Sequence, residues 1–192
     1  DVINVGFVTS STNYSIMLIH QYLSIEDVNF SITERSSFDL LDLLENRVID
    51  MAIIREPFDM NKDFEYVKLI DDELIVAGLP SFFHNDNPVI SFDDLYHLPI
   101  IANRRWVNHM DTFVHETRGK LHFKFICDDN RTAISCALNE MCVALLPMSA
   151  ISAQFQKNAF TIKRIKHEFI KAGLYLVYDK KHLDSEASKH FI

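Results

Sequence analysis

Thr9-Ser10-Ser11-Thr12-Asn13 sets four hydroxyls and a carboxamide in a row, where an apolar run gives way to a helical pattern. At such a junction the first backbone N–H groups of the helix lack intrahelical partners, and the helix dipole is positive. Hydroxyls gathered there make an anion cradle, whereas simple N-capping needs only one of them. Ser10, Ser11 and Thr12 are therefore candidate ligand contacts. Arg55 follows the apolar run Ala52-Ile53-Ile54 directly. A guanidinium at the end of a buried strand can grip a carboxylate with two parallel hydrogen bonds, or it can pair with Glu34 or Glu56 of its own chain. Arg35 and Ser36 end another strand-like run and complete the same mouth. Asn103 and Asn130 stand at equivalent strand-to-helix junctions further along, and each can both donate to and accept from a ligand.

Other reactive side chains carry less. His109, His115 and His122 are six and seven apart, which is not the spacing of a helical ligand pair, and no His-x-x-x-His or Cys-x-x-Cys occurs. No metal or cofactor site is expected. There is no Gly-x-Ser-x-Gly, no phosphate-binding glycine loop and no nucleophile paired with a base, so no catalytic residue is assigned. The triplet Asp71-Asp72-Glu73 and the basic stretch from Lys157 to Lys171 read as solvated faces, and Trp106 as a packing residue. His182 and His190 have no carboxylate at useful spacing.

These residues need elements to hold them. Val2–Val8, Val28–Ile32 and Met51–Ile54 read as strands, the second alternating with one face buried, and Asn13–Leu23 and Phe38–Arg47 as the intervening helices. Ile16, Ile19 and Leu23 would face the sheet in the first helix. Phe38, Leu41, Leu44 and Val48 would do so in the second, which Ser36 or Ser37 caps. A second set follows. It comprises a strand at Ile100–Ala102, a helix near Met110–Thr117, a strand at Phe123–Cys127, a helix over Arg131–Met141, a strand at Val143–Leu146 and a helix after Pro147. Phe160–Ile165 and Leu174–Tyr178 are further strands, and Ser185–Phe191 is helical. Strands alternating with helices of this length indicate βαβ units and a mostly parallel α/β fold.

The chain has 192 residues, 27 acidic and 19 basic side chains and a net charge of −8. A polyanion such as DNA is repelled on average, so this chain by itself is not expected to bind nucleic acid. Its apolar runs are too short to span a bilayer, so no membrane partner is expected. Cys127, Cys136 and Cys142 are too few for a secreted disulfide scaffold and fit reduced thiols in the cytoplasm. The sequence starts within a strand and without Met, which reads as a fragment or a processed form.

The opening Val-Gly-Phe-Val-Thr-Ser-Ser-Thr (residues 5–12) and the stretch from Phe125 to Pro147, closing in Leu145-Leu146-Pro147, resemble the effector-binding domain of LysR-type transcriptional regulators. The resemblance implies a two-lobe, type II periplasmic-binding-protein-like fold with two crossover strands. Residues 1–74 plus 166–192 would form one lobe and 75–165 the other, with a ligand in the cleft between them. It implies a ligand-sensing domain rather than an enzyme, and a winged helix-turn-helix elsewhere in the full-length protein that carries DNA binding. Hydroxyls plus arginine favour a small carboxylate effector such as pyruvate, acetate or citrate. Copies would pair as a homodimer, and as a tetramer at full length, setting Tyr14–Leu23 against Ala133–Met141. Met17, Leu18 and Tyr22 would form the outward apolar stripe of the first helix, with Ala133 and Ala137 opposite. A solute-binding protein of a transport system and a thiol redox sensor using Cys127 and Cys136 are the competing readings. Where that family has glycines after its second-lobe helix, this chain has Glu140 and Cys142, so its backbone is expected to avoid left-handed conformations there.

Overall fold

The computed structural model describes residues 2–114, 120–151, 160–167, 171–183 and 185–192, with side chains left aside at 111–114. Two compact units result, Asp1–Asp72 with Lys171–Ile192, and Glu73–Ile170.

In the first unit β1 (Val2–Phe7), β2 (Asn29–Glu34), β3 (Met51–Arg55), β4 (Glu65–Ile70) and β11 (Leu174–Tyr178) form one sheet in the order β2-β1-β3-β11-β4. The β1 strand runs parallel to both β2 and β3, connected by crossovers through α1 (Thr12–Leu23) and α2 (Ser37–Glu45). By contrast β11 is antiparallel to β3 and to β4. The sheet is therefore mixed rather than mostly parallel, because the returning strand enters from the opposite direction. Its core is Ile3, Val5, Phe7, Leu40, Ile53, Ile54, Leu174 and Val177, with further apolar side chains packed around them. Gly6 lets α2 lie close on β1: a Cβ there would stand 2.4 Å from a Leu40 methyl and 2.8 Å from an Ile49 methyl.

In the second unit β5 (Leu74–Gly78), β6 (Val89–Ile90), β7 (Ile100–Asn103), β8 (Phe123–Cys127), β9 (Val143–Pro147) and β10 (Thr161–Ile165) take the order β6-β10-β5-β9-β7-β8. Here β7 is parallel to β8 and β9, whereas β5 is antiparallel to β9 and β10, so this sheet is mixed as well. The short α3 (Phe92–Leu95), α4 (Arg104–Val114) and α5 (Asn130–Leu138) accompany it, and α6 (Glu186–Phe191) belongs to the first unit. The expected helix near Met110–Thr117 is thus α4, starting earlier; its residues beyond 114 lie outside the described residues. Of the helix expected after Pro147, only a short 3-10 turn, Met148–Ala150, lies within them.

The helix faces differ from their expected registers. Ser15, Ile19 and Tyr22 are the buried face of α1, and Ile16 and Leu23 point outward. In α2 the buried pair is Leu40 and Leu44, while Phe38 and Val48 are exposed. Both helices offered two apolar registers, and the small Ser15 and Ser37 allow the closer approach. Ile32 of β2 is exposed too, since β2 is an edge strand.

The ends of α2 and α5 correct the expectation about left-handed backbone. Arg47 has φ 58° and Glu140 φ 55°. Around them, Val48 N–H donates to Leu43 O and Arg47 N–H to Leu44 O, while Met141 N–H donates to Cys136 O and Glu140 N–H to Ala137 O. Each set is the paired 6→1 and 5→2 pattern of a Schellman motif, made without glycine. In each motif two satisfied carbonyl groups offset the cost of its one left-handed residue.

Candidate functional site

The positions singled out from the sequence fall at strand ends in both units. In the first, β1 ends at Phe7, and a 3-10 turn, Thr9–Ser11, leads into α1. The turn consumes most of the hydroxyls. Ser11 is fully buried, with Oγ 2.9 Å from Val8 O and 3.0 Å from Ser15 Oγ. Thr12 Oγ1 lies 2.9 Å from Thr9 O and 3.0 Å from Glu34 Oε1, which compete for its one proton. Ser10 is half-buried, and its Oγ accepts from Arg55 Nε at 2.8 Å. Among the described residues no acceptor stands within reach of the Ser10 hydroxyl proton.

Arg55 does not face open space. Its side chain is 1 % exposed and ion-paired with the 4 % exposed Asp72 at 2.7 Å. It also donates to Ala172 O at 2.6 Å and to Ser10 O at 3.1 Å. Burial weakens its hold on its proton and the Asp72 carboxylate works against that; so basic a group stays charged throughout. The expected ligand grip is corrected: strand β3 delivers the guanidinium into the protein, where it joins three distant chain segments. Its partner is Asp72, not Glu34 or Glu56. The acidic triplet is correspondingly paired, with Asp71 on Lys68, Asp72 on Arg55 and Glu73 on Arg164. No local spacing announces the Arg55–Asp72 pair, because the two meet only after β3 and β4 are placed in the sheet.

Arg35 and Ser36 remain at the surface. Arg35 Nη1 donates to Glu34 O, and Ser36 caps α2, accepting from Asp39 N–H at 3.1 Å and donating to Asp39 Oδ2 at 2.7 Å.

In the second unit Asn103 ends β7, and its Oδ1 accepts from Arg105 N–H at 3.0 Å, opening α4. Asp129 caps α5, accepting from Arg131 N–H at 2.7 Å, and the Arg131 hydrogen bond holds its carboxyl below the usual range. Asn130, the next residue, is 5 % exposed. Its Oδ1 is fully enclosed and has no hydrogen-bond partner among the described residues. Such an orphaned acceptor costs about 1–3 kcal/mol unless something donates to it.

Expectations for Tyr22, Leu18, Ala133, Ala137, His182 and His190 are corrected. Tyr22 is buried against Phe30 and Phe191, and its hydroxyl donates to Ala187 O at 2.8 Å, so it is covered by its own chain. Ala133 and Ala137 are fully enclosed in the core of the second unit and cannot meet a partner. Leu18 packs on the first core, which leaves Ile16, Met17 and Leu23 as the outward apolar face of α1. Cys127 and Cys142 are buried, and burial pushes both thiols up, Cys142 to about 11. His182 and His190 do meet carboxylates, Asp179 and Glu26. Trp106 is a core residue, edge-on to His109. Among the described residues no cluster of His, Cys, Asp and Glu could hold a metal, and no helix is long and apolar enough to cross a membrane.

Comparison with known proteins follows the fold. No curated protein sequence matches the chain at a significant level. Among solved structures, the effector-binding domain of QuiR in complex with shikimate is 18 % identical, with a TM-score of 0.82 over 100 % of this chain and 93 % of that one. The CcmR regulatory domain of Synechocystis PCC6803 in complex with 2-PG is 14 % identical, with a TM-score of 0.84 over 99 % and 93 %. Full-length CbnR complexed with its target DNA is 14 % identical, with a TM-score of 0.81, covering 99 % of this chain and 67 % of that one. At these identities the likeness shows a shared fold, periplasmic-binding-protein-like with two mixed sheets and crossover strands. The family model for the LysR substrate binding domain matches residues 2–192. The chain belongs to that family: it is a non-enzymatic, effector-binding regulatory domain of a LysR-type transcriptional regulator.

Proposed function

We propose that this domain senses a small metabolite bearing an acidic group and a hydrogen-bond donor. Candidate contacts stand at the strand-to-helix junctions of each unit, taken separately: Ser10, Thr12 and Ser36 in the first, Asn103 and Asn130 in the second. The observation that carries this reading is the enclosed, unpartnered Oδ1 of Asn130 in the first turn of α5. A polar atom kept there against its desolvation cost is explained by a ligand that donates to it. Recognition of the acidic group falls to helix-start N–H groups and to Arg35 rather than to the buried Arg55. The complexes of QuiR with shikimate and of CcmR with 2-PG, proteins that share this fold, support the reading. In this reading a carboxylate effector shifts the domain between two states, and a DNA-binding domain beyond this chain reads the shift in the cytoplasm.

Self-association is part of the proposal. Ile16, Met17 and Leu23 give α1 an apolar outer face above its buried one, and a helix apolar on two sides has two partners. The chain would pair as a homodimer through that face, within a tetramer at full length.

The test is a thermal-shift and calorimetry screen of central-metabolism carboxylates, with hydroxy and amino acids set beside their unsubstituted parents. A hydroxy or amino acid should raise the melting temperature more than its parent, and Asn130→Leu should abolish that preference while raising the unliganded melting temperature. Equal affinity of parent and hydroxy acid in both proteins would end the reading.

A further inference from the structure

A half-buried charge in the first unit is left without a counter-charge by its own chain. Glu34 closes β2 opposite Phe7 of β1, beside the Thr9–Ser11 turn that leads into α1. Its Oε1 accepts from Thr12 Oγ1 at 3.0 Å, a proton that Thr12 also offers to Thr9 O at 2.9 Å. Among the described residues no other group donates to the Glu34 carboxylate, and no cation lies within ion-pairing distance of it. Arg55 is committed to Asp72, and Arg35, the next residue, donates to the Glu34 carbonyl.

Service to α1 does not account for this carboxylate. A side chain that caps a helix accepts from its leading backbone N–H groups. The donor to Glu34 is instead a hydroxyl that already has an acceptor. The same turn holds a complementary group. Ser10 Oγ accepts from Arg55 Nε at 2.8 Å, and among the described residues no acceptor takes its proton. A guanidinium that donates to a hydroxyl oxygen polarises the O–H and strengthens it as a donor. Thr12, which holds Glu34, is two positions beyond Ser10. One turn thus brings together a cation-backed O–H donor and an uncompensated carboxylate.

We propose that Glu34 is a specificity residue and that the metabolite taken at this junction is an α-amino acid. Its ammonium meets the Glu34 carboxylate, and its own carboxylate accepts from the Ser10 hydroxyl. The inference rests on the sensing reading above and narrows the class of metabolite sensed. Hydrogen bonds between ions are shorter and stronger than those between neutral groups, so an ammonium gains here what a hydroxyl in its place does not. Glu34 also works by exclusion. A carboxylate that lacks the ammonium arrives beside a like charge with nothing to offset it.

The probes are the proteinogenic amino acids, each set beside its 2-hydroxy analogue in calorimetry. At least one amino acid should bind about tenfold or more tightly than its analogue, as a hydrogen bond between charged groups carries. Glu34→Gln keeps the shape and the bond from Thr12 but loses the charge. It should bring that pair within about twofold of each other, by weakening the amino acid and not the hydroxy acid, at a Tm within about 2 °C of the parent. The comparison of analogues in the unmutated protein holds whether or not the variant folds. An analogue that always binds as well as its amino acid, or a preference undiminished in Glu34→Gln, would overturn the assignment. So would a loss of Tm with the preference intact, which makes Glu34 a structural residue. Hydroxy acids that outbind the amino acids, and that lose their advantage over unsubstituted parents in Asn130→Leu, would sink the Glu34 assignment and leave the sensing reading standing. Binding by neither class would overturn both.

Discussion

Replacing Arg55 by Met separates a structural guanidinium from a ligand-gripping one. The substitution keeps most of the apolar volume and removes every donor. Asp72, 4 % exposed, would lose the Arg55 guanidinium, and the carbonyls of Ser10 and Ala172 would each lose a donor. Breaking a buried ion pair from one side costs about 3–5 kcal/mol. For a chain of 150–250 residues each kcal/mol moves Tm by about 2–4 °C, so Arg55→Met should melt roughly 6–20 °C below the parent. The double variant Arg55→Met/Asp72→Leu removes the stranded charge as well and should recover about 1–3 kcal/mol of that loss. It should remain about 2 kcal/mol below the parent, because two carbonyls still lack donors at about 1 kcal/mol each. Differential scanning fluorimetry with urea unfolding on the three proteins reads both steps. A single variant that melts within about 2 °C of the parent and yet loses all response to carboxylates would refute this reasoning and return Arg55 to the ligand.

Glu140→Gly should stabilise the domain by about 1 kcal/mol, since glycine closes the same Schellman motif at φ 55° without the left-handed cost, and urea midpoints check it. Met17→Asp, at a position 45 % exposed, should lower the mass seen by light scattering without lowering Tm; a parent domain that stays monomeric at high concentration removes the pairing proposal. Thiol titration should label Cys136 first, because burial keeps Cys127 and Cys142 protonated at neutral pH; prompt labelling of Cys142, or a disulfide formed under mild peroxide, would revive the redox reading. Asp94 is held below its ordinary range by the Ser91 hydroxyl, so this contact stabilises the fold above that range and is lost as pH falls through the lowered value. Ser91→Ala should therefore raise the Asp94 titration midpoint in an NMR pH series, and its Tm deficit should narrow in acid.

The alternation of strand and helix was legible because buried strands such as Met51–Ile54 and Val143–Leu146 are apolar throughout, and because cap-forming residues, Ser36 or Ser37 and Asp129, precede the helical patterns. The faces of α1 and α2 were not. Periodicity ranks apolar residues, but the register was decided by small Ser15 and Ser37 lying against a sheet whose position the sequence does not encode locally. The candidate junctions were correctly placed at strand ends, while the duties of their side chains depended on distant residues. Arg55 meets Asp72 and Ala172, Thr12 meets Glu34, and Tyr22 meets Ala187. Lys163, only 3 % exposed in a stretch that reads as solvated, was misread for the same reason, its oxygen partners lying 76 and 78 positions away.

The place of β11 in the first sheet has a consequence for biosynthesis. It lies between β3 and β4 although it follows every other described strand in sequence, and among the described residues it is the sole sheet neighbour of β4. A nascent chain that has cleared the ribosome only to residue 170 therefore carries a five-stranded sheet with its fourth rung missing. Glu65–Ile70 then has no ladder to join, and Arg55 lacks its Ala172 carbonyl. The first unit cannot close until residues 171–178 have been made; the Glu73–Ile170 unit, continuous in sequence, can close before it. Long-range strand insertion of this kind is slow and leaves apolar edges open to aggregation. Chaperone demand and sensitivity to C-terminal truncation should therefore concentrate in residues 171–178, far along the chain from the elements they complete.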